Sequence, residues 1–324
     1  MKRKALYLLL LLIVWTPWVL ARQPQSNALL EVPTVKTHPS GKVAHHIGYT
    51  VSYNTNWRLP NWVAYELTAA ELVGDLPRES RFTDDPAIVG EATTEDYVKS
   101  GYDRGHMAPA ADMKWSEGAM HESFYMTNIC PQIHGLNAGD WKDLEEHVRT
   151  MATKHDHIYV CCGPIVSSTQ YTIGRYSDAR VVIPDAFFKV LLRKKASGDW
   201  TAIGFEMYNV AGNYPLAAYA LSIDSLESLT GLDFFYNLPD SIETVVERSY
   251  SLTDWDLTAT MTRPSSQKKI SPSVKSTSSA TSTSSTRNSS SSSTSAETYH
   301  GHTVYIGPRG GRYYYNSKGK KVYI

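Results

Sequence analysis

From Pro264 to about Thr298 the chain loses all apolar periodicity, and Ser and Thr dominate, as in Ser276-Thr-Ser-Ser279 and Ser289 to Ser293. Such a stretch cannot bury enough apolar surface to offset the entropy lost on ordering. It reads as a flexible linker over 264–298 and divides the 324-residue chain into parts that fold separately.

The first part carries its own punctuation. Lys2, Arg3 and Lys4 precede an apolar run from Ala5 to Leu20, and Val19-Leu20-Ala21 has the small-residue spacing of a cleavage site. This is the pattern of a signal peptide over 1–21, which sends the chain to the periplasm or the medium with no stable membrane insertion after cleavage. An uncleaved anchor is the alternative. The run is short for a bilayer span, and Pro17 interrupts it.

Residues 22–263 mix short strand-like runs with helical patterns. The strand-like runs are Trp62–Tyr65, Ile158–Cys162, Val181–Ile183, Ala186–Leu192 and Thr201–Phe205. A helix is expected over Asn137–Lys154 and a short one over Ser225–Thr230, with a further helical pattern at Tyr214–Ala220. Strands and helices do not alternate strictly, so the expectation is an α+β domain around a central antiparallel sheet. After the linker, residues 299–324 recover aromatic content and turn signals, which predict a small two- or three-stranded β unit.

The formal net charge of zero conceals an asymmetry. Residues 22–263 hold 20 Lys and Arg against 31 Asp and Glu, while 264–324 hold 9 against 1. An acidic body joined to a basic tail leaves a polyanionic partner open. In the tail Arg309, Arg312, Lys318, Lys320 and Lys321 interleave with tyrosines, a mixture that suits phosphate contact with base stacking. A surface-attachment module or an inert cap fits it equally. Cys130, Cys161 and Cys162 match no zinc spacing, and either one disulfide or three buried thiols is compatible with them. The pairs His45-His46, His155/His157 and His300/His302 lack the companions of a tetrahedral metal set and read as solvated or structural.

The chemistry concentrates in Asp103-Arg-Gly-His-Met-Ala-Pro109. His106 is suited to a general base, because imidazole is largely neutral near pH 7. Gly105 before it permits close backbone approach. Downstream, Asn137, Trp141, Glu145 and Arg149 recur at helical spacing on one broad face, with Leu144 and Val148 as the docking positions. An amide near the start of that helix could hold a hard cation. A plain amphipathic helix with a Glu145–Arg149 pair is the competing reading.

Asp103-Arg-Gly-His106, Asn128-Ile-Cys-Pro-Gln132, Asn137-Ala-Gly-Asp-Trp141 and Leu144-Glu145 occur in the order and spacing that resembles the DNA/RNA non-specific endonucleases, of the ββα-metal group. Trp62–Tyr65, Arg81–Pro86 and Gly163-Pro164 extend the likeness over about residues 45 to 250. The resemblance implies a ββα-metal nuclease domain within the α+β fold, with DNA and RNA as substrates. It implies His106 as general base and Asn137 as the one protein ligand of a divalent cation, Mg²⁺ first and Mn²⁺ next. It implies Glu145 as orienting water on the metal, Arg149 and Arg81 as phosphate ligands, and Asn128 and Arg104 around substrate and motif loop. Cys130 departs from the family pattern, where Thr or Ser is usual. Such groups address phosphate, which carries no sequence information. The reading that competes with an enzyme is a non-catalytic secreted binder of nucleic acid or surface polymer. The sequence sets no oligomeric state.

Overall fold

Period-two alternation governs the centre of the molecule. Val63, Tyr65 and Leu67 pack in one apolar cluster while Trp62 and Ala64 pack in another. Ile158, Val160 and Cys162 likewise separate from Tyr159 and Cys161. Both faces of these strands are therefore buried, which is why their sequences read as continuous apolar runs.

The computed structural model describes residues 29–37, 41–174 and 180–258, with the backbone of five short strands between 298 and 323. The expected signal peptide and nearly all of the Ser/Thr-rich linker lie outside the described residues. In chain order the strands are β1 (Thr34–Val35), β2 (Lys42–His45), β3 (Thr50–Asn54), β4 (Leu59–Thr68), β5 (Asp103–His106), β6 (Ile129–Gln132), β7 (His157–Ile165), β8 (Thr172–Ile173), β9 (Val181–Val182), β10 (Ala186–Lys194), β11 (Trp200–Tyr208), β12 (Ala220–Leu221) and β13 (Leu232–Asp233). The α-helices are α1 (Glu117–Ser123), α2 (Trp141–His155), α3 (Ile223–Thr230) and α4 (Asp240–Arg248).

Seven strands form one antiparallel sheet in the order β12-β11-β10-β7-β4-β3-β2. One face receives the β5–β6 hairpin and α2, through Met107, Ile129, Leu144, Val148 and Met151. The other receives α3 and α4, through Ile223, Leu226 and Val246. Ser222 caps α3 by accepting from the Ser225 amide, and Gly231 ends it in the left-handed region at φ 72°.

The expected α+β architecture with a central antiparallel sheet is thus present. One expectation needs correction. The helix predicted from Asn137 is regular only from Trp141. Leu136–Asp140 forms a π-type turn, and Gly139 sits at φ −112° and ψ −119°, outside helical space. Asn137 therefore leaves the helical series of Trp141, Glu145 and Arg149, and Trp141 turns fully inward against Phe187. The helical pattern at Tyr214–Ala220 shortens to a 3₁₀ turn over Leu216–Tyr219.

The chain divides into two compact units, Met1–Ser271 and Pro272–Ile324. In the second, β14 (Thr298–Tyr299) pairs with β15 (His302–Thr303). There β16 (Tyr305–Ile306), β17 (Arg312–Tyr315) and β18 (Lys321–Tyr323) form an antiparallel three-stranded sheet.

All three cysteines are free and buried. Burial raises each thiol above its ordinary pKa, which suppresses the reactive thiolate. A thiol reagent should label none of them in the native protein and all three after unfolding, and reduction should leave Tm unchanged. Native-state labelling, or a Tm that falls with reductant, would contradict this.

Candidate active site

The β5–β6 pairing sets the site. Gly105 lies opposite Cys130 and His106 opposite Ile129. A Cβ on Gly105 would come within 1.8 Å of the Gln132 amide oxygen, so this strand position admits only glycine without displacement. The loop after His106 is pinned by Asn128, whose Oδ1 accepts from the Ala108 amide at 2.9 Å. Its Nδ2 donates to the carbonyls of Ala108 and Ser123 at 2.9 and 2.8 Å. Asn128 is fully buried and its amide is completely used. The expectation that Asn128 contacts substrate is corrected: it holds the loop that carries His106.

His106 packs between Phe82 and Phe124, with ring centroids 5.4 and 4.9 Å away. Burial, assisted by the nearby Arg78 guanidinium, lowers its pKa to about 3, so the ring is neutral across the working range. Its Nε2 is buried without a hydrogen-bond partner, which leaves Nδ1 as the nitrogen facing solvent among the described residues. The segment carrying Phe82 is held in place by backbone bonds from Thr83 to Phe124 and from Met126 to Thr83. Asp85 steadies it further, accepting from the Thr127 hydroxyl at 2.6 Å and lying 3.1 Å from His46. His46 is thereby spent on structure, and no metal-type cluster among the described residues contains a histidine.

Asn137 is tied back to β5. Its Nδ2 donates to Asp103 Oδ2 at 2.9 Å, and His134 Nδ1 lies 2.8 Å from the same oxygen. This bond fixes the orientation of the amide and leaves its carbonyl oxygen available to a cation, the arrangement expected when an outer group orients a ligand.

Beside these residues lies a desolvated charge cluster. Asp112, in the turn after His106, is 1% exposed. It accepts from Arg149 Nη1 at 2.9 Å and from the Tyr65 hydroxyl at 3.0 Å. Lys189 projects from β10 with no exposure and sits 4.6 Å over the Trp141 ring. Glu145 makes no hydrogen bond to another described residue. Burial raises its pKa to about 7, with Lys189, Arg149 and Arg78 pulling down and Asp112 pushing up.

The sequence expectations therefore separate. His106, Asn137, Glu145 and Arg149 all border the same face of the sheet, although Arg149 is already paired with Asp112. Arg104 turns to the protein instead of outward. Its Nη2 donates to the Thr94 carbonyl at 3.0 Å, and its guanidinium lies over Phe82 and Tyr97. Arg81 is exposed and makes no hydrogen bond or ion pair to another described residue. The cation that acts electrostatically on both His106 and Glu145 is Arg78, which lies 5.1 Å over Phe124 and was missed. Lys189 and Asp112 were missed too. A lysine within the apolar run of β10 was the available signal for the first.

Fold and site together define a mixed α/β protein whose antiparallel sheet carries a β-hairpin and following helix on one face, with a neutral imidazole and an oriented amide on the hairpin side. The family model for DNA/RNA non-specific endonuclease matches residues 26–241, and the chain belongs to that family. It is 36% identical over 204 residues to the mitochondrial nuclease EXOG of Danio rerio, covering 59% of this chain and 60% of that protein. It is 34% identical to the mitochondrial endonuclease G of Homo sapiens, covering 59% and 68%. The chain thus spans about three fifths of the length of the zebrafish relative. Among solved structures, an EndoG/EndoGI complex described as showing the mechanism of EndoG inhibition aligns with TM-score 0.58 at 29% identity. That alignment covers 64% of this chain and 90% of the other.

If turnover uses the Glu145 carboxylate, its pH dependence follows from that group, because His106 stays neutral far below it. Activity that needs the Glu145 carboxylate rises as pH climbs through its pKa. Lys189→Met removes a cation that lowers that pKa, so the acid limb of kcat/KM should move to higher pH. A limb that stays in place would exclude Lys189 from this role.

Proposed function

We propose that the chain is an endonuclease that hydrolyses phosphodiester bonds of DNA and RNA without sequence preference. The reading rests first on the neutral imidazole of His106 on β5, the same strand whose Asp103 orients the amide of Asn137. Family membership and relatives named as nucleases support it. Nδ1 of His106 takes the proton from the attacking water, a role worth about 10²- to 10⁴-fold in rate.

Asn137 Oδ1 would hold one divalent cation of the Mg²⁺ type. That cation, when bound, neutralises charge on the scissile phosphate and the leaving oxygen. A neutral amide is a weak ligand, so water and phosphate oxygens complete the set. Glu145 orients the attacking water from α2. Arg149, held by Asp112, presents its remaining N–H groups to phosphate, and Arg81 and Arg78 supply the flanking positive charge. These cations answer the acidic body locally, and each contact is with the backbone of the nucleic acid, which explains the absence of sequence preference.

The same proposal includes the layout of signal peptide 1–21, nuclease domain 22–263, linker 264–298 and basic β module 299–324, with release to periplasm or medium. The named relatives EXOG and endonuclease G are mitochondrial. N-terminal sequencing of the mature chain from its natural compartment tests the export reading, with Arg22 as the expected first residue.

Purified protein should cut plasmid, single-stranded DNA and RNA with Mg²⁺, and chelator should stop it. His106→Ala should lose at least ~100-fold in kcat with the fold retained. Binding without cleavage in both Mg²⁺ and Mn²⁺ would favour the non-catalytic binder. Removal of 264–324 should lower the cleavage rate at low salt and flatten its salt dependence. An unchanged salt profile would rule out the tail as a polyanion tether.

A further inference from the structure

On the sheet face opposite His106, α3, α4 and β13 bring five carboxylates together. Asp224, Glu227 and Glu247 form one set, and Asp233, Glu243 and Glu247 form another. Within each set, one oxygen per residue lies within 4.8 Å of the others. Acidic groups crowd many protein surfaces without consequence. Glu247, common to both sets, is different. It is only 7% exposed, and its Oε1 is buried with no hydrogen-bond partner. Buried polar atoms in native proteins almost always meet a partner, so this oxygen points to one that the protein atoms do not supply.

The nearby ammonium does not fill that role. Lys36 Nζ lies 2.9 Å from Glu227 Oε2 and 2.6 Å from Asp233 Oδ1. Glu227 Oε1 accepts from the Phe234 amide at 2.9 Å, so both of its oxygens are engaged. Asp233, Glu243 and Glu247 keep oxygens that are not.

We propose that Asp233, Glu243 and Glu247 bind a divalent cation of the Ca²⁺ type, with Glu227 and Asp224 at its rim. Only oxygen donors are present, and they select a hard cation. Several carboxylates on three separate elements suit the irregular, six- to eight-oxygen shell of Ca²⁺ better than the strict octahedron of Mg²⁺. The ion would cross-link α4 to β13 and so clamp the helical cover to the sheet. This inference is independent of the nuclease reading.

Thermal melts test it in Asn137→Ala protein, which lacks the amide at the candidate catalytic metal site. Millimolar CaCl₂ should raise Tm by about 5 °C over chelator, beyond any effect of KCl at equal ionic strength. Glu247→Gln or Glu243→Gln in the same background should abolish the rise. Calorimetric titration with Ca²⁺ should count one site in Asn137→Ala protein and none after either further substitution. A Tm insensitive to Ca²⁺, a rise matched by KCl, or a rise that survives both substitutions would overturn the site.

Discussion

The buried carboxylate of Asp112 holds the working face together. It follows His106 in the chain, accepts from Tyr65 on the central sheet and pairs with Arg149 on α2. Three elements distant in sequence therefore share one charge. Removing one partner of a buried pair strands the other, at a cost of about 3–5 kcal/mol. The hairpin, the helix and the sheet are consequently interdependent, and the position of His106 depends on all three.

The same economy of charge sets the chemistry. Lys189 has no exposure, and a lone buried ammonium costs several kcal/mol. Its Nζ has no hydrogen-bond partner and acts on Glu145 and Asp112 through charge alone. Each group in turn tunes the others: Glu145 is kept near pH 7 by burial against three cations, while His106 is held neutral by its aromatic surroundings.

The two faces of the sheet carry charge in opposite ways. Towards the hairpin, carboxylates and cations alternate: Arg149 pairs with Asp112, while Glu145 and Lys189 form no ion pair with another described residue. Towards α3 and α4, carboxylates outnumber the single Lys36, and Glu247 is left unanswered. Both faces are otherwise apolar and well buried, so neither imbalance arises from loose packing. The difference is one of composition, and it separates the family's site from the second one inferred here.

The order and spacing of Asp103-Arg-Gly-His106, Asn128 and Asn137 were enough to indicate the family. Short apolar runs were enough to indicate the strands, because period-two burial is a local property of the chain. What Asn128 and Arg104 do was not legible. Whether a polar side chain faces substrate or its own backbone depends on which carbonyls the fold brings near, here those of Ala108, Ser123 and Thr94. The break at Gly139 was hidden for the same reason, since Asn137 is drawn to Asp103 by a contact that helical spacing does not encode. Residue identity and local period thus determined the elements and the chemical vocabulary. Only tertiary packing decided which charges lost their water, and with that which of them could act.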